Sequence, residues 1–164
     1  MTNVGSPLQA VAQVLIERQP SSLLLCTHSG LPGLEEYTSE TRCATTQLHV
    51  GTEVQELAGF ARFDLAVVAD QLEHLPKAAG MELLGRIRNV HSNHLCVIYA
   101  PAGNQTVWTA VDFFSLGMTL ASTFHNDGRE LQFYTYAIEQ YNRRREWNNN
   151  RFWANPENFG KYWW

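Results

Sequence analysis

The apolar residues of this chain fall into short continuous runs that are separated by segments with a helical period. Three apolar runs each end at a turn-forming residue: 22–26, 64–69 and 94–100. A short apolar run of this kind is typical of a strand that is covered on both faces, as in a parallel sheet. Residues 44–50 form a fourth, more polar run of β-prone residues that closes at Gly51.

Helical patterns lie between these strands. Ser6 is a good N-cap, and Gln9 completes a capping box ahead of an apolar stripe, which predicts a helix over 6–19. Pro76 opens a second helix that extends to about residue 90, and a short helix is predicted over 108–116.

The pattern changes in the last third of the chain. Strand-like segments 118–125 and 130–137 flank Asn126-Asp127-Gly128, and Asp-Gly between two strands is a strong hairpin signal. Strands that alternate with helices and end in a hairpin predict an α/β fold. We expect a mostly parallel, Rossmann-like sheet with helices on both faces and a C-terminal antiparallel hairpin.

Ligands on such sheets bind outside the carboxyl ends of the strands, where the strand order reverses. The segments that follow the predicted strands are therefore the ones to examine for function: 27–33, 51–54, 70–76 and 101–108.

One of these segments carries a family resemblance. The stretch reads Phe63-Asp64-Leu65-Ala66-Val67-Val68-Ala69-Asp70-Gln71-Leu72-Glu73-His74-Leu75-Pro76. It resembles the fourth strand and following loop of class I methyltransferases that use S-adenosylmethionine. The likeness extends over about residues 6–140, so residues 1–140 are interpreted as a methyltransferase-like domain. It implies S-adenosylmethionine as cofactor and a small-molecule or macromolecular methyl acceptor that the sequence does not identify.

The resemblance also implies a set of site residues. The cofactor would be bound by residues that follow three of the predicted strands. After the first strand these are Thr27, His28, Ser29, Gly30 and Gly33; after the 44–50 strand they are Thr52 and Glu53; after the 64–69 strand they are Asp70 and Gln71. Glu73 or His74 would act as general base if the acceptor must lose a proton. The alternative is that Glu73 and His74 cap the next helix and orient the loop.

The sequence departs from the family at two points. Leu25 stands where the family has an acidic residue, and Thr27 and Ser29 stand where it has glycines that let the backbone approach the cofactor. Residues 28–63 hold one good strand where the family has two, and the strand that usually ends in the ribose-binding carboxylate is expected to be missing. If residues 44–50 are the family's third strand, Thr52 or Glu53 would lie near the adenine. An active methyltransferase and a non-catalytic binding or assembly module therefore both remain open.

Charge and aromatic residues are concentrated at the C-terminus. The chain carries a formal charge of −4, whereas residues 141–164 have five Lys and Arg against two Glu and contain eight aromatic side chains. We interpret 141–164 as an extension packed on the domain, because so aromatic a segment would be insoluble if it were free. Nucleic-acid binding and a homodimer interface through the same aromatics are the alternatives.

The positions of the cysteines and histidines bear on disulfide formation and on metal binding. The three cysteines are scattered, and the histidines show no metal-ligand spacing, so the sequence predicts neither a disulfide framework nor a metal site. The N-terminus has no secretory pattern, and no apolar run approaches the length of a membrane span. The sequence therefore predicts a cytoplasmic protein without a membrane partner.

Overall fold

The computed structural model describes residues 5–48, 53–101 and 108–141, with the isolated positions 157 and 161. Within this part of the chain the elements follow the order α1 (Pro7–Arg18), β1 (Ser22–Thr27), α2 (Leu34–Thr41), β2 (Ala44–Leu48), α3 (Glu53–Glu56), β3 (Leu65–Ala69), α4 (Lys77–Arg86), β4 (His94–Tyr99), α5 (Ala110–Ser115), β5 (Thr119–Asn126), β6 (Arg129–Ala137) and α6 (Ile138–Tyr141). Single helical turns cover Leu57–Gly59 and Leu72–His74, and a π-helical segment, Ile87–His91, extends α4.

The six strands form one sheet in the order β2-β1-β3-β4-β6-β5. The first four strands are parallel, and β6 lies antiparallel between β4 and β5. From β1 the chain crosses outward to β2, whereas from β3 it crosses in the opposite direction to β4. The strand order therefore reverses between β1 and β3, and the predicted fold class is confirmed.

The central strands β1, β3 and β4 are buried on both faces. Leu24, Val67, Val68 and Val97 are fully buried and Ile98 is nearly so, as the apolar runs predict. Residues from α1 and α2 pack on one face of the sheet, and residues from α4 and α5 pack on the other. Successive strand side chains alternate between the two faces, so the central strands β1, β3 and β4 must be apolar almost throughout.

The predicted capping box sets the start of α1. The Ser6 hydroxyl accepts a hydrogen bond from the Gln9 N–H, and the Gln9 side chain accepts one from the Ser6 N–H. Gln19 then adopts a left-handed conformation ahead of Pro20, which ends the helix and turns the chain into β1.

Asp64, at the start of β3, ties this strand to the beginning of β1. Its Oδ2 accepts hydrogen bonds from the Ser21 hydroxyl at 2.6 Å, the Ser21 N–H at 2.9 Å and the Ser22 N–H at 3.0 Å. The Ser21 hydroxyl contributes most to holding the pKa of Asp64 below its usual value. Asp64 therefore aligns β1 and β3 at their amino ends, whereas the candidate site lies at their carboxyl ends.

The position of β2 differs from one expectation drawn from the sequence. β2 hydrogen-bonds directly to β1, with Ser22 opposite Ala44 and Cys26 opposite Leu48. In the doubly wound order 3-2-1-4-5-6 this is the place of the second strand, so the strand that the described chain lacks is the outer third one. The physical reason is room, because a further parallel strand needs another crossover of about a dozen residues.

Candidate functional site

The loop after β1 is built around a buried threonine and two glycines. Thr27 is fully buried, and its Oγ1 accepts a hydrogen bond from the Gly30 N–H at 3.1 Å. Gly30 and Gly33 have φ angles of +80° and +81°, a region that side chains rarely allow. These contacts turn the chain sharply and leave His28 and Ser29 at the carboxyl edge of the sheet.

The loop after β3 meets this turn through four side chains, which we call the switch-point cluster: His28, Ser29, Asp70 and His74. The Ser29 hydroxyl donates to Oδ2 of Asp70 at 2.5 Å, and Nε2 of His74 lies 3.2 Å from Oδ1 of the same carboxylate. The rings of His28 and His74 are in contact, with centroids 4.3 Å apart. Asp70 has a φ of +49°, so its backbone turns directly after the strand to make these contacts.

Glu73 and Gln71 follow Asp70 in the chain, but neither side chain belongs to this cluster. Gln71 is fully buried, and Oε1 of Glu73 accepts a hydrogen bond from the Ala100 N–H at 2.7 Å. Burial raises the pKa of the Glu73 carboxyl. Glu73 thus holds the loop after β3 against the end of β4, which supports its interpretation as a residue that orients the loop.

A cleft of about 530 Å³ opens beside the switch-point cluster. Its lining comes from the end of β1 and the following loop, from α2 and from β2: Leu25, His28, Ser29, Gly30, Leu31, Leu34, Glu35, Thr38, Thr45 and Gln47. The space where a Cβ of Gly30 would lie is empty to 4 Å, so the Gly30 backbone faces open volume. The volume is in the usual range for a ligand pocket.

The structure brings some of the predicted site residues together and not others. His28, Ser29 and Gly30 line the cleft, and Asp70 and His74 join them through the cluster. Gly33 begins α2 and lines a separate apolar cavity of about 270 Å³ between α1 and α2. Thr52 lies outside the described residues, and Glu53 is described only as the first residue of α3.

Sequence reasoning did not identify the α2 and β2 residues of the cleft. Glu35, Thr38, Thr45 and Gln47 belong to no motif, and they come together because β2 lies beside β1 with Gln47 opposite Leu25. The available signal was the polar character of Thr45 and Gln47, which are two residues apart and therefore lie on the same face of the strand.

The described residues also bear on the presence of metal sites and of membrane-spanning helices. They contain no cluster of three or more His, Cys, Asp or Glu side chains that could hold a metal ion. No helix among them has both the length and the apolar character of a membrane span.

Comparison with known proteins places the fold. A family model described as a family of unknown function (DUF6231) matches residues 5–164. The sequence matches no curated protein. The fold is similar to magnesium protoporphyrin IX methyltransferase from Synechocystis PCC 6803, solved with bound S-adenosylmethionine (TM-score 0.57, 12% identity, covering 78% of this chain and 76% of that one).

Two other solved structures give the same result. The methyltransferase domain of bacterial CtHen1 aligns with a TM-score of 0.52 at 12% identity, covering 79% of this chain and 96% of that one. The 1,6-didemethyltoxoflavin-N1-methyltransferase of Burkholderia thailandensis, solved with S-adenosylhomocysteine, aligns with a TM-score of 0.52 at 15% identity, covering 79% and 76%. The chain therefore belongs to the DUF6231 family and has the fold of class I S-adenosylmethionine-dependent methyltransferases.

Proposed function

We propose that this protein binds S-adenosylmethionine in the cleft beside the switch-point cluster and transfers its methyl group, with His74 as the general base. The observation that carries the proposal is the pairing of His74 with Asp70 at the point where the strand order reverses. Both side chains are close to half exposed, so the histidine is held in place and remains accessible to a substrate.

The residues of the cleft fit a nucleoside with an amino-acid tail. The Gly30 backbone faces open space, which permits close approach of a ligand to the chain. The Ser29 hydroxyl, the Glu35 carboxylate and the Thr38, Thr45 and Gln47 side chains offer polar partners for hydroxyl, amino and carboxyl groups. S-adenosylmethionine, when bound, supplies an electrophilic methyl group.

The chain's own contribution would be alignment and proton removal. A carboxylate that contacts one nitrogen of a histidine fixes the ring and leaves the other nitrogen free to accept a proton, so Asp70 orients His74 to take a proton from a hydroxyl or amine acceptor. Glu73 is a poorer candidate, because its carboxyl is committed to the Ala100 N–H.

A second candidate function rests on a different contact. The hydrogen bond between Ser29 and Asp70 bridges the loops after β1 and β3, and Leu25 lines the cleft with an apolar side chain. Both features favour a non-catalytic relative in which the loops are closed on each other. In that case the sheet would serve as a binding or assembly module.

Calorimetry and a label-transfer assay distinguish the two candidates. We expect the wild-type protein to bind S-adenosylmethionine and to transfer a tritiated methyl group to a small-molecule or macromolecular fraction of a cell extract. His74→Gln should keep the cofactor affinity and reduce transfer by about 10²-fold or more, because glutamine can contact Asp70 but cannot act as a base. His125→Gln, which changes an exposed histidine of β5 outside both the cleft and the cluster, is the matched control.

Each outcome decides between the candidates. Binding of the cofactor with transfer that His74→Gln abolishes supports the methyltransferase. Binding without transfer to any fraction supports the non-catalytic module. No heat of binding at millimolar S-adenosylmethionine contradicts the proposal as a whole.

A further inference from the structure

The cleft beside the switch-point cluster carries charge of one sign. Among the ten described residues that line it, Glu35 is the one that is formally charged at neutral pH, and none is a lysine or an arginine. His28 is the other titratable side chain of the lining. The remaining polar side chains are hydroxyls and one amide, which are uncharged: Ser29, Thr38, Thr45 and Gln47. The cleft therefore presents one carboxylate and no permanent cation.

The first turn of α2 places Glu35 in the cleft wall. Glu35 and Thr38 are three residues apart, so they lie on one side of the helix, and both line the cleft. Glu35 is exposed, and among the described residues its carboxylate takes part in no hydrogen bond or ion pair. Its backbone carbonyl accepts a hydrogen bond from the Thr38 hydroxyl at 3.0 Å. The carboxylate is therefore available to a ligand in the cleft.

The other acidic residues near the cleft do not share this position. Glu36 and Glu40 belong to the same helix and are exposed, but neither lines the cleft. Asp70 lies beside the cleft, and its two carboxylate oxygens are engaged within the switch-point cluster. The helix α2 itself contains no lysine or arginine that could neutralise Glu35. Glu35 is therefore the uncompensated charge of the cleft wall.

We propose that Glu35 makes the cleft selective for a positively charged ligand, so that S-adenosylmethionine binds more tightly than S-adenosylhomocysteine. This inference rests on the proposed function, because it takes these two molecules as the ligands of the cleft. They differ by one methyl group and one positive charge. When the methyl group passes to the acceptor, the electron pair of the broken C–S bond stays on sulfur, and the sulfonium becomes a neutral thioether. The ammonium and carboxylate groups of the tail are common to both ligands and cancel in the comparison.

The small size of the cleft makes the Glu35 charge effective across it. A volume of about 530 Å³ corresponds to a space roughly 8 Å across, whereas charges are screened over about 10 Å in 0.1 M salt. Because Glu35 is exposed, the surrounding water keeps its attraction for a cation modest. We therefore expect the wild-type protein to prefer S-adenosylmethionine by about three- to tenfold.

This preference gives the cleft a way to release its product. The carboxylate attracts the ligand while the ligand carries its sulfonium charge, and the attraction is lost once that charge is gone. The product is then held by the neutral hydrogen-bonding groups and the apolar side chains of the lining. Glu35 therefore acts on the exchange of product for fresh cofactor, a role separate from proton removal by His74.

Calorimetric titration of the full chain with each ligand tests the proposal at pH 8, where histidine side chains are ordinarily neutral. Glu35→Gln should lower the ratio of the two affinities by about threefold or more, and Glu35→Lys should make S-adenosylhomocysteine the tighter ligand. Glu36→Gln is the matched control, because it removes the same charge from the same helix outside the cleft, and it should keep the wild-type ratio. A loosened structure would weaken both ligands alike, so the ratio isolates the effect of charge.

The outcomes separate this proposal from the proposed function. If the wild type binds both ligands equally, or if Glu35→Gln leaves the ratio unchanged, the selectivity of Glu35 is overturned and cofactor binding stands. A ratio that falls equally in Glu36→Gln overturns it as well, because the effect would then come from the helix as a whole. Absence of binding of either ligand to the wild type overturns the proposed function and this proposal with it.

Discussion

At the residue scale, the structure separates two neighbours that the sequence could not distinguish. Glu73 and His74 belong to one motif, yet Glu73 turns inward to the Ala100 N–H and His74 turns outward to Asp70. The separation depends on the left-handed backbone at Asp70. Aspartate tolerates this conformation better than most residues, but local propensity does not say that it will be adopted. The motif was therefore predictable, and the direction of each side chain was not.

The buried carboxyl of Glu73 gives a pH prediction. Its pKa is raised in the folded protein, so the folded state binds more protons than the unfolded state above the ordinary value of 4.5. The contribution of Glu73 to the free energy of unfolding therefore falls as pH rises from this value through the folded pKa. Glu73→Gln keeps the acceptor oxygen and should remove this dependence. Urea unfolding between pH 4 and 8 measures it as the difference between the two proteins.

A control variant completes this test. Glu73→Ala removes the hydrogen bond itself and should lower the free energy of unfolding by about 1–3 kcal/mol across the whole range. Parallel pH curves for the wild type and Glu73→Gln would contradict the account of Glu73.

At the element scale, helix starts and strand runs were predictable because they depend on local chemistry. The capping box at Ser6 and Gln9 and the hairpin at Asp127-Gly128 both appear as the sequence indicates. The place of β2 in the sheet was not predictable in the same way. It depends on which crossover the chain has room to make, and no local pattern in 44–48 distinguishes a second strand from a third.

Two glycines of α4 give a matched pair of predictions. A Cβ at Gly80 would lie 2.6 Å from Cζ2 of the buried Trp108, whereas a Cβ at Gly85 would meet only Leu116 at 4.0 Å. Gly85→Ala should therefore raise the free energy of unfolding by about 0.5–1 kcal/mol, since alanine favours the helix. Gly80→Ala should lower it by about 1–3 kcal/mol through overpacking. Thermal unfolding of both variants measures these two changes. Equal effects of the two substitutions would contradict the packing of α4 against Trp108.

At the scale of the whole molecule, the fold was predictable because three buried runs, one motif and one hairpin agree on a single architecture. The C-terminal extension stays a prediction. Its residues 142–156, 158–160 and 162–164 lie outside the described residues. At its start, Tyr141 contacts the body of the domain, with the Arg88 guanidinium 5.0 Å above its ring. This contact involves only the last residue of α6, and the packing of the rest of the extension stays a prediction.

Truncation after Tyr141 tests that interpretation. Each buried indole removes about 150–250 Å² from water, and the loss of one costs about 3–5 kcal/mol. The truncated protein should therefore melt at a clearly lower temperature or aggregate. If the extension binds nucleic acid instead, the melting temperature should be unchanged and a salt-dependent affinity for RNA or DNA should disappear.

The central claim is that the cleft beside the switch-point cluster binds the cofactor, and an NMR titration with S-adenosylhomocysteine tests it most directly. We expect amide shifts at Ser29, Gly30 and Asp70, and none at Ser21, Asp64 and Asn93 at the opposite edge. Gly30→Ala should weaken binding about tenfold or more, while Gly33→Ala, with the same backbone conformation outside the cleft, should not. Shifts confined to another surface, or none at millimolar ligand, would contradict the account.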